Sequence, residues 1–524
     1  MSELGAYFRL LRAGWIMVRE GVVAAVPGDQ LDGPARLAWR AARLFTKGGA
    51  RGRDRAGRLA AAVDRLGPSY VKLGQFLATR PDVVGRDIAG DLASLQDRMA
   101  TFPMAESRKT IEASLGRPVD ELFASFGEPV AAASIAQVHP AEIEENGDRR
   151  KVAVKVIRPG VRRRFFNDLE SYFLASRLQE RFIPSTRRLK PVQVTETLAR
   201  TTRLEMDLRL EAAALSELAE NIADDPGFRV PAVDWQRTGR DVLTLEWIDG
   251  VKLSDIDGLE RAGYDLKRIA RDLVQNFLRQ TLRDGFFHAD MHPGNLFVDA
   301  DGALVAVDLG ITGRIGRKEQ RFLAEILHGF ITRNYARVAE VHIEAGYVPS
   351  KHGSTAFAQA IRAIGEPIQG QSAATISMAK LLTLLFEVTE LFDMETRPEL
   401  LLLQKTMVVV EGVARTLDPD FNMWKTAEPV VSDWILANLG PRAVLHDAGE
   451  GLKAIAALAR QAPELHARAE RLSQEIGAMA ENGLRFDNDT ADRIGRAEAR
   501  HTRSGRVALW IIAAALLWIG WHLA

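Results

Sequence analysis

The stretch His288-Ala-Asp-Met-His-Pro-Gly-Asn295, followed by Asp308-Leu-Gly310, carries the strongest signal in this chain of 524 residues. It holds a carboxylate at Asp290, an amide at Asn295 and a second carboxylate at Asp308. Two short apolar runs separate Asn295 from Asp308 and predict strands on both sides of a turn. Three polar groups on loops that strands hold in place indicate a site for chemistry.

The order H-x-D-x-x-x-x-N…D-x-G is that of a protein-kinase catalytic loop and metal-binding loop. Phosphoryl transfer needs these residue types, because one Asp orients the nucleophile while an Asn and an Asp hold Mg²⁺ against the phosphates. We therefore expect Asp290 to be catalytic, and Asn295 and Asp308 to bind Mg²⁺ beside ATP. His288 is expected to brace the loop by hydrogen bonding. No further His or Cys stands at ligand spacing nearby, so the pattern does not favour zinc.

A lysine upstream fits the same chemistry. Lys155 ends the run Val152-Ala-Val-Lys155, which reads as a strand, and Glu211 lies on a predicted helix at 205–214. In kinases such a lysine holds the α- and β-phosphates and pairs with a helix glutamate. The alternative is an exposed lysine and a solvated surface glutamate. The order of these residues before the 288–310 segment favours the catalytic interpretation.

The expected phosphate loop departs from the kinase rule, because alanine stands at all three glycine positions. Alanine strongly disfavours positive φ, so we expect the nucleotide to be held differently. A small-residue strand packed against a helix is the alternative. The residues expected to contact ATP in this segment are Ala131, Ala132, Ala133, Ser134, Ile135, Ala136 and Val138. Glu246 and Trp247 are expected at the hinge, where backbone groups would meet adenine.

The composition limits the classes of function. Lys and Arg number 69, as do Asp and Glu, so no global charge favours nucleic acid as a partner. The absence of cysteine excludes disulfides and thiol catalysis and suits a reducing cytoplasm. A hydrophobic content of 47% is ordinary for a globular protein, and the length predicts two to three cores.

Two segments indicate contact with a membrane. Residues 507–524 lack Asp, Glu, Lys and Arg, and as a helix they would be about 27 Å long, near the thickness of a hydrocarbon core. Arginines precede this segment, so we expect a single span of the inner membrane with the catalytic domain in the cytoplasm. A buried core helix is the alternative. Residues 7–23 predict an amphipathic helix that lies on anionic lipid or packs on the protein itself.

The order of elements predicts an α+β, two-lobed, protein-kinase-like fold with a nucleotide cleft, an N-terminal helical extension and a C-terminal transmembrane helix. The expected segments are an amphipathic and basic start (1–55), the helical extension (56–127), an N-lobe with inserted helices (128–250), a helical C-lobe (251–483), a linker (484–506) and the membrane anchor (507–524).

Several motifs together resemble the UbiB family of atypical protein-kinase-like ATPases, over roughly residues 60–425. Lys72-Leu-Gly74-Gln75 is similar to the family's K-x-G-Q motif, and Glu205-Met-Asp207 to its E-x-D motif. The alanine loop, Glu211 and the two metal-binding segments match as well. The resemblance implies that Lys72, Gly74, Gln75, Glu205 and Asp207 are regulatory. The K-x-G-Q helix would fold over the cleft, with Lys72 pairing with Glu205 or Asp207.

The resemblance also implies a function. It predicts a membrane-attached enzyme that hydrolyses ATP with Mg²⁺ and supports ubiquinone biosynthesis, with polyprenyl quinone intermediates and other ubiquinone-biosynthesis proteins as partners. Some relatives carry two membrane segments, which leaves one or two open here. Two alternatives stay open: a protein kinase, a transferase acting on a partner protein, and a scaffold that binds nucleotide without chemistry.

Overall fold

The computed structural model describes the chain from Glu3 to Gly440 with internal gaps. The residues outside the description are 1–2, 24–38, 42, 49–53, 79, 94–98, 184–186, 188, 370–387, 389–390, 395–397 and 441–524. The chain divides into two units, Met1–Ile435 and Leu436–Ala524, and the described part of the second unit is the end of one helix.

The N-terminal part is helical, as its apolar periodicity predicts. Its helices are α1 (Glu3–Arg19), α2 (Arg55–Leu66), α3 (Pro68–Ala78), α4 (Pro81–Val84), α5 (Arg86–Ala93), α6 (Met104–Leu115) and α7 (Val119–Leu122). Asp54 caps the start of α2 by accepting a hydrogen bond from the Gly57 N–H, and Gly67 ends it at a φ of 99°. α3 follows directly and carries the K-x-G-Q motif.

A five-stranded antiparallel sheet follows. Its strands are β1 (Ser125–Phe126), β2 (Ala131–Ala132), β3 (Ala136–Glu145), β4 (Asp148–Ile157) and β6 (Val242–Glu246), in the order β1-β3-β4-β6 with β2 paired to β3. Asn146 and Gly147 make the turn between β3 and β4, with φ values of 55° and 87° that suit these two residues. The long register between β3 and β4 places Lys155 opposite Val138.

Three helices fill the chain between β4 and the next strands: α8 (Val161–Phe182), α9 (Pro191–Glu205) and α10 (Leu208–Asn221). α8 packs against α1, α3 and α9. In α1 the buried face consists of Ala6, Ala13 and Ile16. The apolar residues Phe8 and Leu11 of the predicted stripe are instead 66% and 69% exposed.

The remaining strands form two small sheets. β5 (Phe228–Arg229), β10 (Leu304–Ala306), β9 (Leu296–Asp299) and β7 (Gly250–Lys252) pair in that order, and β8 (Phe286–His288) pairs with β11 (Thr312–Arg314). Residues 247–249 connect β6 of the first sheet to β7 of the second, and residues 230–241 connect β5 of the second sheet to β6, so the chain passes between the two sheets at both segments. The helices here are α11 (Ile256–Arg261), α12 (Leu266–Arg279), α13 (Arg317–Ile331), α14 (Tyr335–Glu344), α15 (Ser354–Gln369), α16 (Pro398–Leu417) and α17 (Met423–Leu439).

The expected fold class needs one correction. The α+β arrangement is present, but the predicted C-terminal transmembrane helix is not found. No helix within the described part of the chain is long and apolar enough to cross a membrane. Residues 507–524, which carried that prediction, lie outside the described residues, as do the linker at 484–506 and residues 441–483. The prediction depended on the apolar composition and length of this segment and on the arginines before it, and these features fix neither a helix nor its surroundings.

Candidate nucleotide-binding site

The catalytic-loop segment begins where β8 ends. His288 is fully buried, and its Nδ1 accepts a hydrogen bond from the Asp290 N–H at 3.2 Å. Burial lowers the pKa of His288, against the opposing charges of Asp290 and Asp308. A neutral imidazole therefore holds the backbone at Asp290, in the bracing position that the sequence predicts.

The loop then turns back on itself. Residues Pro293–Asn295 form a short 3₁₀ turn, and His292 caps it by accepting the Gly294 N–H on Nδ1 at 3.2 Å. The Asn295 Nδ2 donates to the backbone oxygen of Asp290 at 3.2 Å and to its Oδ2 at 3.3 Å. The loop thus fixes Asp290 and Asn295 together. His292 thus makes a local structural contact through its Nδ1.

Lys155 lies between two carboxylates. Its Nζ donates to Glu211 at 2.7 Å (Oε1) and 3.0 Å (Oε2), and to the Asp308 Oδ2 at 3.1 Å. Asp308 Oδ1 also accepts the Gly310 N–H at 2.9 Å. The three residues come from β4, from α10 and from the loop after β10, so the fold brings together residues that are 153 positions apart.

The pKa values of this cluster follow from burial and charge. Burial raises the pKa of Glu211 to about 7, although the Lys155 charge opposes that shift. For Asp308 the Lys155 charge and the Gly310 N–H outweigh burial and lower the pKa to about 2. Burial also opposes the charge on Lys155, but Asp308 and Glu211 together raise its pKa. Asp308 and Lys155 are therefore ionised at neutral pH.

The predicted regulatory residues divide into two groups. Lys72 on α3 makes an ion pair with Glu205, the last residue of α9, and the two side chains are 14% and 8% exposed. Burial raises the pKa of Glu205, and the Lys72 charge opposes that shift. Gly74 is buried and Gln75 is half-buried on the same helix.

Asp207 does not pair with Lys72. It is the N-cap of α10 and accepts two hydrogen bonds from the Arg209 side chain, at 2.9 and 2.7 Å. Between the two partners that the sequence left open for Lys72, the structure therefore selects Glu205. Asp207 instead fixes the start of the helix that carries Glu211.

The alanine segment forms a tight hairpin turn. The Ala133 N–H donates to the Ala136 oxygen at 2.8 Å, and the described residues of positive φ do not include any position from 131 to 136. Ser134 is buried and Ile135 is half-buried. Arg158 supports this turn: its backbone N–H donates to the Ile135 oxygen at 2.8 Å, and its Nη2 to the Ala133 oxygen at 3.4 Å.

Glu246 and Trp247 lie where β6 leaves the first sheet, as predicted for a hinge. Glu246 accepts hydrogen bonds from the Arg229 Nη1 at 3.0 and 3.1 Å. The Trp247 Nε1 donates to Asp249 at 3.0 Å. The side chains thus bind neighbouring residues of the connection. That their backbone groups meet adenine stays a prediction.

Two further residues around the site escape sequence reasoning. Arg158 also donates to the Ala100 oxygen at 2.9 Å and lies over the Phe102 ring, so it joins three segments around the alanine turn. Thr406 on α16 is buried, and its Oγ1 lies 3.0 Å from the Ala289 oxygen in the catalytic loop and 2.8 Å from the Leu402 oxygen of its own helix, so these two carbonyls share its one proton. Arg158 directly follows a predicted strand, and this position could have indicated it. Nothing in the sequence around Thr406 indicates its contact with the catalytic loop.

The residues at hand fit Mg²⁺. Asp308 is an ionised carboxylate, and no described hydrogen bond uses the amide oxygen of Asn295. Such hard oxygen donors suit Mg²⁺, which proteins often bind through one or two side chains together with substrate phosphates. Among the described residues no group of three or more His, Cys, Asp or Glu could hold a metal.

The lysine, its helix glutamate and the Asp and Asn of two adjacent loops define a protein-kinase-like protein. The profile of the ABC1 atypical kinase-like domain matches residues 94–342, and that of the UbiB helical domain matches residues 361–422. The chain belongs to the UbiB family, as its motifs predict.

Curated relatives agree with this assignment. The chain is 40% identical over 444 residues to "Probable protein kinase UbiB" of Marinobacter nauticus, covering 83% of this chain and 80% of the relative. It is 40% identical over 441 residues to the protein of that name from Aeromonas hydrophila, with the same coverage of both chains. A structure titled as the Rv3197–erythromycin complex from Mycobacterium tuberculosis is 26% identical, covers 76% of this chain and 97% of that one, and has a TM-score of 0.47.

Proposed function

We propose that this protein binds ATP with Mg²⁺ at the site around Lys155 and Asp308 and hydrolyses it. The observation that carries the proposal is the position of the Lys155 ammonium, between Glu211 and Asp308. An ammonium held in this way can bind the α- and β-phosphates, while the Asp308 carboxylate stays available on the side of the metal. In this proposal Lys155 and Glu211 orient the phosphates.

The other residues have roles in the same step. Asp290 orients the attacking group, here water, because its carboxylate lies on a loop that Asn295 and His288 hold in place. Asn295 and Asp308 would hold Mg²⁺, which when bound neutralises charge on the phosphates. The alanine turn from Ala131 to Ala136, with Val138 beyond it, would cover the phosphates, and Glu246 and Trp247 would border adenine.

The biological role comes from the family. We propose that ATP turnover supports ubiquinone biosynthesis, with polyprenyl quinone intermediates and the proteins that process them as partners. Such intermediates are apolar, so this work would take place at a membrane surface. The family name supports this role, and the exposed apolar residues of α1 are compatible with it.

A protein kinase that phosphorylates a partner protein is the second candidate, since every catalytic group it needs is present. The Lys72–Glu205 ion pair argues against a protein kinase. This pair fixes α3 to Glu205, whose carboxyl group interacts electrostatically with Asp308 and Lys155. A helix held there leaves less room for a protein substrate. A nucleotide-binding scaffold without chemistry is the third candidate, and it would not need Asp290.

The test is phosphate release from MgATP by the full chain and by Asp308→Asn. We expect the variant to lose about two orders of magnitude in rate, because one preorganised charge is removed from the site. Asp301→Asn, in the exposed turn that precedes β10, is the matched control and should retain the wild-type rate.

Three results would count against hydrolysis. Equal rates for wild type and Asp308→Asn would remove Asp308 from the reaction. Radiolabel from ATP on a partner protein, with no free phosphate, would favour the kinase. ATP binding without either product would favour the scaffold.

A further inference from the structure

A second cavity, of about 430 Å³, lies among α1, α3 and α8. Its lining includes four arginines, Arg9 and Arg12 from α1 and Arg163 and Arg164 from α8. None of its lining residues belongs to the lysine and carboxylate cluster of the nucleotide site. Asp168 also lines the cavity and contributes a carboxylate, so the lining carries a surplus of positive charge.

The four arginines are not equivalent. Arg9 binds Glu170 at 2.9 Å and Ser171 at 3.1 Å, and Arg164 donates to the Leu66 oxygen at 2.8 Å. These two are therefore fixed by the protein.

Arg12 and Arg163 are exposed and make no hydrogen bond or ion pair with any residue in the described part of the chain. A guanidinium group has five N–H donors, and in Arg12 and Arg163 these donors remain available to a ligand.

Two further features favour an anion in this cavity. The 22-residue helix α8 begins at its edge, and Gly160 at the N-cap provides no side-chain hydrogen bond, so the positive end of the helix dipole is uncapped there. Tyr70 also lines the cavity, and its hydroxyl can donate a hydrogen bond.

We propose that this cavity binds the phosphate group of a ligand. Arg12 and Arg163 make the new hydrogen bonds, and Arg9 and Arg164 add positive charge. Guanidinium groups match phosphate oxygens in geometry and form charge-assisted hydrogen bonds that are stronger than neutral ones. The Asp168 carboxylate weakens the attraction of the cavity for any anion. We therefore expect tight binding only of anions, such as phosphate, that accept several hydrogen bonds.

The phosphate can come from a soluble phosphate ester or from the headgroup of an anionic lipid. Arg12 lies beside the exposed apolar residues of α1, among which Leu4, Phe8 and Leu11 are 66% to 69% exposed. Side chains of this kind next to a phosphate site suit an amphiphile. The experiment therefore includes both sources.

The test uses the full chain with the double variant Arg12→Ala/Arg163→Ala. Inorganic diphosphate is titrated calorimetrically, and we expect its affinity to fall by roughly tenfold to a hundredfold, as for loss of charged hydrogen bonds. Arg177→Ala is the matched control, because it is an exposed arginine on α8 that does not line the cavity. Thermal melting checks that every variant is folded, and affinity for a non-hydrolysable ATP analogue should be unchanged.

Cosedimentation identifies the source, with vesicles of phosphatidylcholine alone or mixed equally with phosphatidylglycerol. Binding to the mixed vesicles that the double variant loses supports the lipid headgroup. Loss of diphosphate affinity with unchanged vesicle binding supports a soluble ester. If the double variant and Arg177→Ala match wild type in both assays, the proposal is wrong. This holds whether or not ATP is hydrolysed, so a failure here is separate from a failure of the proposed function.

Discussion

Lys155 holds two carboxylates whose pKa values move in opposite directions. The Glu211 side chain is 6% exposed and the Asp308 side chain 42% exposed. Burial dominates for Glu211 and raises its pKa, whereas the Lys155 charge and a backbone N–H lower that of Asp308. This difference in pKa suits the proposed roles of the two residues. Asp308 must remain ionised to bind Mg²⁺, whereas Glu211, which positions Lys155, need not.

The Glu211 pKa predicts how stability depends on pH. The pKa rises from 4.5 to about 7 on folding, so between these values the folded protein binds a proton that the unfolded chain has released. The free energy of unfolding should therefore fall as pH rises through this window. Glu211→Gln should give a shallower fall, measured by urea unfolding at several pH values between these limits.

Glu205 shifts in the same direction, so some slope remains in the variant. Glu220→Gln, an exposed residue on the same helix, is the control and should follow wild type. An identical slope in wild type and Glu211→Gln would exclude Glu211 as a source of the pH dependence.

Sequence alone predicted the Lys155 and Glu211 positions because each lies in a motif of fixed order. It could not choose between Glu205 and Asp207 as the partner of Lys72, because both carboxylates lie within one short motif. The structure distinguishes them through local geometry. Asp207 lies between α9 and α10 and caps the start of α10. Its carboxylate oxygens therefore accept hydrogen bonds from Arg209.

At the scale of elements, the Lys72–Glu205 pair joins α3 to the end of α9. Removing one partner of a buried ion pair leaves an uncompensated charge, so Lys72→Ala should lower the free energy of unfolding by about 3 kcal/mol. Amides of α3 should then exchange faster with deuterium. Both effects are measurable by denaturant unfolding and by hydrogen-exchange mass spectrometry.

The double variant Lys72→Ala/Glu205→Gln should recover part of the loss, because no buried charge then lacks a partner. Lys109→Ala removes a surface pair on α6 and should change little. If Lys72→Ala behaved like Lys109→Ala, the pair would not hold α3 in place.

The sequence predicted α1 as a helix but not the face that it buries. Its large apolar residues suggested a stripe that would pack or lie on lipid. The small residues Ala6 and Ala13, with Ile16, instead face the protein and allow close approach to α8. Periodicity predicts a helix, but the choice between two faces depends on a partner helix far along the chain.

At the scale of the whole molecule, the hydrogen bond from Thr406 to Ala289 joins the helical domain to the catalytic loop. Thr406→Val keeps the shape of the side chain but leaves a buried carbonyl without this donor, which costs about 1 to 3 kcal/mol. We expect turnover to fall by about twofold to tenfold if half of that cost appears in the transition state. Nucleotide affinity should change little.

The control is Thr416→Val on the same helix, where an exposed hydroxyl donates to the Gly412 oxygen. Steady-state phosphate release and analogue binding, measured for both variants, distinguish the effects. Equal turnover in the two variants would show that the contact has no part in positioning the loop.

Contacts of this range explain what sequence reasoning missed. Thr406 and Ala289 are 117 positions apart, and a threonine on an apolar helix carries no local signal of its partner. The strand at Val152–Lys155 and the catalytic motifs were predictable because each is encoded within a few residues. The C-terminal transmembrane helix is a prediction that failed. The apolar composition of residues 507–524 suggested it, but the described part of the chain contains no helix able to cross a membrane.

The alanine turn has a kinetic consequence. Arg158 holds it from one side, and the Met99 N–H donates to the Ala132 oxygen at 3.2 Å on the other. These contacts restrict the movement of the turn relative to the segments on its two sides. If nucleotide binds beneath the turn as proposed, its entry and release should depend more on movement elsewhere around the site than on this turn.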